Sequence, residues 1–198
     1  MQFRIERKIN ENILKYPTED FKLAQDFADK VKKELGGFVV SAILFGSSAR
    51  GEGTSKSDID VLLIGDDITF KLTTPLVESY RIIVSNVIAS VSSRLHITSM
   101  TFTSFWEYVK VGDPVAINIL RDGVALFDMG FFNPLQVLLK QGRIRPTEES
   151  IWRYFGRAPN TLINSQWHVM QATIDLYWAV MDAAHAALMR KGEMPPSP

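Results

Sequence analysis

The stretch from Phe45 to Ile64, FGSSARGEGTSKSDIDVLLI, joins the end of one aliphatic run to the start of another through a polar loop. The runs are FVVSAILF (38–45) and DIDVLLI (58–64), and their length and β-branched content read as short buried strands. Asp58 and Asp60 stand at the mouth of the second run. Side chains two apart on an extended segment point to the same side, with Cα atoms roughly 6.6 Å apart. Two unpaired carboxylates so placed repel each other and raise one another's pKa. An ordinary core strand has no use for such a pair, so a cation is expected beside it.

The rest of the composition sets the class. At 198 residues the chain fits one domain, or one domain with a small appendage. Apolar residues make up 46% and aromatic residues 11%, enough for a real core. The 22 basic and 22 acidic side chains cancel, so no overall field indicates nucleic acid, and such binding would need a local patch. The absence of cysteine excludes disulfides and thiolate metal sites. The N-terminal MQFRIERKINENILKYP is too charged for a signal peptide, and no run reads as a membrane span, which makes a cytoplasmic protein the expectation.

Along the chain, PTEDFKLAQDFADKVKKELGG has helical apolar spacing, leading acids, trailing lysines and a Gly-Gly stop. TPLVESYRIIVSNVIASVSS reads as a second helix and RLHITSMTF (94–102) as a third strand. TSFWEYVKVG and DPVAINILRDG read as short helices, the latter with Asp113 as N-cap and Pro114 in the first turn, and VALFD as an edge strand. From about residue 133 only helical segments follow: NPLQVLLKQG, TEESIWRYFG and the long TLINSQWHVMQATIDLYWAVMDAAHAALMRKG. The expected division is therefore residues 1–130 and 131–198. The last helix is apolar around most of its girth, through Ile174, Leu176, Tyr177, Trp178, Val180, Met181 and Leu188. One packed face does not account for that, and a homodimer through residues 160–190 is expected.

The polar loop has its own chemistry. A strand ending in Gly46 and Ser47 lets backbone and hydroxyl donors approach an anion closely. Asp58 and Asp60 supply the hard oxygen ligands that Mg²⁺ prefers, and Ser48, Arg50 and Lys56 add phosphate contacts. A phosphate cradle facing a carboxylate pair suits an NTP chelated to Mg²⁺.

Gly46-Ser47, ten intervening residues, then Asp58-x-Asp60, framed by aliphatic strands, resembles the minimal nucleotidyltransferases of the DNA polymerase β superfamily. The resemblance covers roughly residues 20–128. It implies an α+β fold: a small mixed β-sheet with helices packed on one face. It further implies that Gly46 and Ser47 hold the triphosphate and that Asp58 and Asp60 are the catalytic carboxylates and hold Mg²⁺. The implied reaction moves a nucleoside monophosphate from an NTP, ATP first among them, to a hydroxyl, releasing pyrophosphate. The stretch DLYWAVMDAAHAALMRKGEMPPSP is similar to the front of the helical HEPN domains fused to, or encoded beside, such transferases. That similarity implies a HEPN-type protein partner, with a catalytically weak, antitoxin-like nucleotide-binding regulator as the alternative function. An oligomerising protein with a vestigial site is the third reading.

The chain departs from that pattern in one respect. Active members carry a third carboxylate on a later strand, but RLHITSMTF has none, and His96 and Thr98 occupy its alternating face. Asp66, Asp67, Glu107 and Asp113 are expected in turns or helices. One tightly held Mg²⁺ and slow transfer are the expectation. Lys140, Arg143, Arg145, Arg153 and Arg157, with Trp152, Tyr154 and Phe155 among them, read as a solvated face over an aromatic stripe, with RNA stacking as the alternative. His168 and His185 read as helix residues without metal-ligand spacing.

Overall fold

The computed structural model describes residues 10–46 and 57–193. Its centre is a four-stranded mixed sheet of order β3-β2-β1-β4, and the fold is α+β. Strands β1 (Val39–Phe45) and β2 (Ile59–Gly65) pair antiparallel, from Val39 opposite Gly65 to Phe45 opposite Asp60. Strand β3 (Leu95–Thr101) lies parallel to β2, and β4 (Val124–Asp128) antiparallel to β1. A parallel neighbour cannot be reached by a hairpin. Helix α2 (Thr74–Val91), between β2 and β3, supplies the crossover.

The two central strands are apolar on both faces, and both faces are covered. Ala42, Leu44, Val61 and Leu63 form one core with α1 (Thr18–Leu35) and α2, through Phe27, Ala28, Val31, Val84 and Val87. Ile43, Leu62 and Ile64 form the other with α3 (Phe102–Lys110), α4 (Pro114–Asp122) and α5 (Phe132–Lys140), through Phe105, Val109, Ile119, Leu120 and Phe132. The helices thus flank the sheet, rather than lying on the single face that the resemblance implied. The cause is legible in the strands: a half-solvated strand alternates apolar and polar, whereas β1 and β2 are nearly continuous aliphatic runs. The caps follow sequence expectation at α4, where Asp113 accepts a hydrogen bond from the Val115 amide at 2.8 Å and Pro114 occupies the first turn.

Two differences from the sequence expectation concern the helical end. The chain falls into two compact units, Met1–Thr147 and Glu148–Pro198, so α5 belongs to the first unit and the division lies later than residue 130. Helix α5 buries Phe132 and Leu135 beside α4 and β4, which a separate helical appendage would not do. The second unit is one helix, α6 (Glu148–Arg190), with Pro159 inside it where the sequence pattern predicts two helices. A proline costs a helix one hydrogen bond and a steric clash with the preceding turn, and a bent helix can absorb both. No described helix is long and apolar enough to cross a membrane.

Asp128 fastens α5 to the sheet. It accepts a 2.6 Å bond from the hydroxyl of Ser41, its register partner on β1, and bonds from the amides of Phe131, Phe132 and Asn133. Burial pushes its carboxyl up, but those bonds outweigh burial and hold it below the usual carboxylate range. A carboxylate so depressed stabilises the fold fully above the ordinary range and loses that contribution as pH falls through its own lowered value. Asp128→Ala is therefore expected to cost about 1–2 kcal/mol at neutral pH. Its stability should also fall less steeply than the parent's between pH ~7 and ~3 in urea titrations. Equal slopes in the two proteins would remove Asp128 from the acid response.

Candidate active site

The site is built where β1 ends and β2 begins. Gly46 leaves β1 with φ 105°, a conformation that L side chains rarely adopt. The register sets Phe45 opposite Asp60, so the turn at Gly46 lies directly against that carboxylate. A methyl group on Gly46 would overlap Asp60 Oδ2 and stand 3.0 Å from Asp60 Cβ and Cγ. Glycine is required here twice over, for its backbone angle and for its missing side chain. The two halves of the sequence motif are thereby in contact across the loop.

Asp58 is exposed just ahead of β2, and Asp60 is partly buried on its second residue. The chain entering them is clamped by Arg94, a residue that the sequence pattern marks only as a strand end. Arg94 donates from Nε and Nη2 to the Ser57 carbonyl, at 3.0 and 2.9 Å, and its own carbonyl accepts the Ile59 amide at 2.8 Å. Its guanidinium is fixed in turn by Asp20 of α1 at 2.9 Å, a carboxylate only 7% exposed. The planar fork of arginine suits this double contact, which a lysine would not reproduce. The signal available in the sequence is Asp20 in the first turn of an amphipathic helix. Its pairing with a residue 74 positions away is not readable there.

His96 lies beside Asp60. The parallel register pairs the two residues, and His96 Nδ1 is 3.0 Å from Asp60 Oδ1. Thr98 follows in the same row of β3, opposite Leu62. Among the described residues, the other carboxylates weighed from the sequence are occupied elsewhere. Asp66 accepts the Ile68 and Thr69 amides at 2.8 and 2.9 Å, and Asp67 binds the Thr103 amide at 3.0 Å. Both follow the far end of β2, six and seven residues, or roughly 20 Å of strand, from Asp60. Glu107 pairs with Lys110 at 3.5 Å, and Asp113 caps α4. Asp122 does come to the near end of the sheet, since Val124 pairs with Leu44, but Arg121 holds it at 2.6 Å and Lys15 at 3.7 Å. The Arg121 hydrogen bond leads in keeping its carboxyl below the usual range.

Tyr16 braces this end from beneath. Its hydroxyl lies 3.2 Å from the carbonyl oxygens of both Leu44 and Asp122. Burial pushes the phenol well above its ordinary pKa, with the charges of Asp122 and Asp60 adding to it, so it stays a neutral donor.

Gly46, Asp58 and Asp60 are thus brought to one end of the sheet, whereas Ser47, Ser48, Arg50 and Lys56 lie outside the described residues. Three basic residues of the C-terminal stretch have partners within their own unit. Arg145 bonds to the Gly142 carbonyl, Arg153 pairs with Glu149, and Arg157 stacks on Tyr154. His168 and His185 sit on α6, and no three His, Asp or Glu side chains are grouped for a metal among the described residues.

Comparison with known proteins accords with this arrangement. The nucleotidyltransferase domain family matches residues 24–124, about half of the chain, from within α1 through β1, β2 and β3 to the start of β4. A Methanocaldococcus jannaschii protein named as a candidate protein adenylyltransferase is 36% identical over 72 residues, which span 35% of this chain and 72% of that one. Among solved structures, a candidate nucleotidyltransferase from Sulfolobus solfataricus is 21% identical. Its TM-score is 0.39, over 61% of this chain and 90% of that one. A chain from a complex of a tri-AMPylated Shewanella oneidensis HEPN toxin with its MNT antitoxin is 13% identical. Its TM-score is 0.38, over 74% of this chain and 98% of that one. With Gly46 at the end of β1 set against Asp60 at the start of β2, the chain belongs to the nucleotidyltransferase domain family.

Proposed function

We propose that the chain is a metal-dependent nucleotidyltransferase that moves a nucleoside monophosphate from an NTP to a hydroxyl acceptor and releases pyrophosphate. The observation that carries this reading is the packing of Gly46 against Asp60, which puts the phosphate-approach turn and the carboxylate pair side by side. The M. jannaschii relative, named for protein adenylyl transfer, supports ATP as donor and a protein hydroxyl as acceptor. The donor set of Asp58 and Asp60, both reachable by solvent and both all-oxygen, fits a hard divalent cation such as Mg²⁺. Such an ion, when bound, neutralises triphosphate charge and supports the departing pyrophosphate. Gly46, without a side chain, lets the end of β1 pack directly against Asp60. Arg94 fixes the strand entry so that Asp58 and Asp60 keep their spacing, and the neutral Tyr16 phenol braces the Leu44 carbonyl below the turn.

A second reading is favoured by His96, which stands where a third carboxylate would. It makes the chain a nucleotide-binding regulator of a HEPN-type partner, with little transfer of its own. Incorporation of labelled AMP into the protein itself or into a co-expressed partner separates the two. Asp58→Asn with Asp60→Asn is expected to abolish metal-dependent NTP binding by calorimetry while the melting temperature holds or rises, because like-charge repulsion is relieved. Undiminished binding would show that the site lies elsewhere.

The same reading includes a homodimer through α6. Ile163, Trp167, Met170, Ile174, Tyr177, Met181, Ala184 and Leu188 recur in alternating steps of four and three, the spacing of a coiled-coil seam. Trp167 and Tyr177 are about 60% exposed in the single chain. The flanking positions Gln166, Thr173 and Val180 on one side, and Asn164, Gln171 and Trp178 on the other, are uncharged, so nothing repels an identical copy. Sedimentation at micromolar concentration should give a dimer, and Trp167→Lys with Met181→Lys a monomer. A monomeric parent would refute the pairing without touching the nucleotide site.

A further inference from the structure

The contact between Asp60 and His96 has a second chemical meaning. Two donor atoms bound side by side on a six-coordinate ion, with bonds of about 2.1 Å, are themselves about 3.0 Å apart. Asp60 Oδ1 and His96 Nδ1 stand 3.0 Å apart, on register-paired residues of adjacent parallel strands, so the backbone holds their spacing. The two oxygens of Asp60 face different neighbours, Oδ2 toward Gly46 and the turn, Oδ1 toward His96. The imidazole is 69% exposed and the Asp60 side chain 26%, so little packing opposes an ion entering between them. Apart from Asp58, already assigned to the nucleotide metal, the described carboxylates Asp66, Asp67, Glu107, Asp113 and Asp122 are bonded elsewhere. Arg94, the nearest cation along β3, is held by Asp20 and Ser57.

We propose that His96 Nδ1 and Asp60 Oδ1 together form a mixed nitrogen–oxygen metal position that takes a first-row transition-metal dication in preference to Mg²⁺. The inference rests on the metal–nucleotide site proposed above and changes which ion that site selects. Mg²⁺ demands oxygen ligands and sheds water reluctantly, whereas affinity for a nitrogen–oxygen site rises along the first-row series from Mn²⁺ onward, and imidazole suits its later members best. With only two protein donors here, the remaining positions fall to phosphate oxygens and water, so the preference appears with nucleotide present. Substituting a carboxylate at position 96 restores an all-oxygen set and returns the preference to Mg²⁺. Thr98, one step further along the same row, offers only a hydroxyl and does not compete for the ion.

The test uses the full chain with a non-hydrolysable ATP analogue and Mn²⁺ as probe. Electron spin-echo modulation of the bound Mn²⁺ should show the coupling of a coordinated nitrogen, changed by ¹⁵N-histidine labelling and lost in His96→Ala and His96→Asp. By calorimetry, the ratio of Mn²⁺ to Mg²⁺ affinity should fall at least about tenfold in His96→Asp, the lower end of what losing even an outer-shell partner costs. Mn²⁺ binding without nitrogen coupling, in the labelled and unlabelled parent alike, would overturn the proposal and leave His96 as a residue that only orients Asp60. Coupling that survives His96→Ala would assign the nitrogen to another residue and overturn it equally. Failure of the parent to bind either ion with the nucleotide analogue would instead bring down the proposed function, and this inference with it.

Discussion

The antiparallel register of β1 and β2 is the constraint on which the site depends. Phe45 opposite Asp60 puts the last residue of one strand beside the second residue of the next, and every later placement inherits that alignment. A one-residue slip would turn Asp60 to the other face and bring an aliphatic side chain against Gly46. The register is secured by burial: Ile43, Leu62 and Ile64 belong to one core, Ala42, Leu44, Val61 and Leu63 to the other, and a slip would exchange the two sets. Large apolar surface thus holds a few polar atoms in place.

The polar contacts act on that frame over longer distances in sequence. Asp20 on α1, Arg94 ahead of β3 and Ser57 ahead of β2 form a chain that ties the helix layer to the entry of the carboxylate strand. A carboxylate as buried as Asp20 is costly without a partner, so the guanidinium is held firmly. Its remaining donors then lose little further freedom when they bind the Ser57 carbonyl. Ser41 and Asp128 do the same at the other end, where they tie α5 to β1 and β4. Each contact joins a helix to the sheet at a strand terminus, where the backbone is otherwise least constrained.

Helix α6 is organised on a different principle. The first unit buries its aliphatic residues within itself, while α6 leaves Trp152, Phe155, Leu162, Trp167, Leu176 and Val180 more than half exposed. Scattered exposed apolar residues are ordinary, but a continuous run along one helix is not. Its seam of alternating four- and three-residue steps suits another helix rather than solvent.

Much of the first unit is legible in the amino-acid sequence alone. The strands at 38–45 and 58–64, the helices over α1 and α4 and the Asp113 cap follow from apolar period, turn residues and capping chemistry, all local properties. The motif of Gly46, Asp58 and Asp60 is legible for the same reason, since its spacing lies within one hairpin-like connection. What local pattern does not supply is anything set by distant pairing. That helices cover both faces, that α5 joins the first unit, and that Arg94 reaches Asp20 and Ser57 each depend on which elements become neighbours. His96 shows the division most clearly. The sequence determined that β3 carries a histidine and no carboxylate, but only the parallel register of β2 and β3 decided that its Nδ1 meets Asp60 Oδ1, because strand alignment is a property of the whole packed sheet.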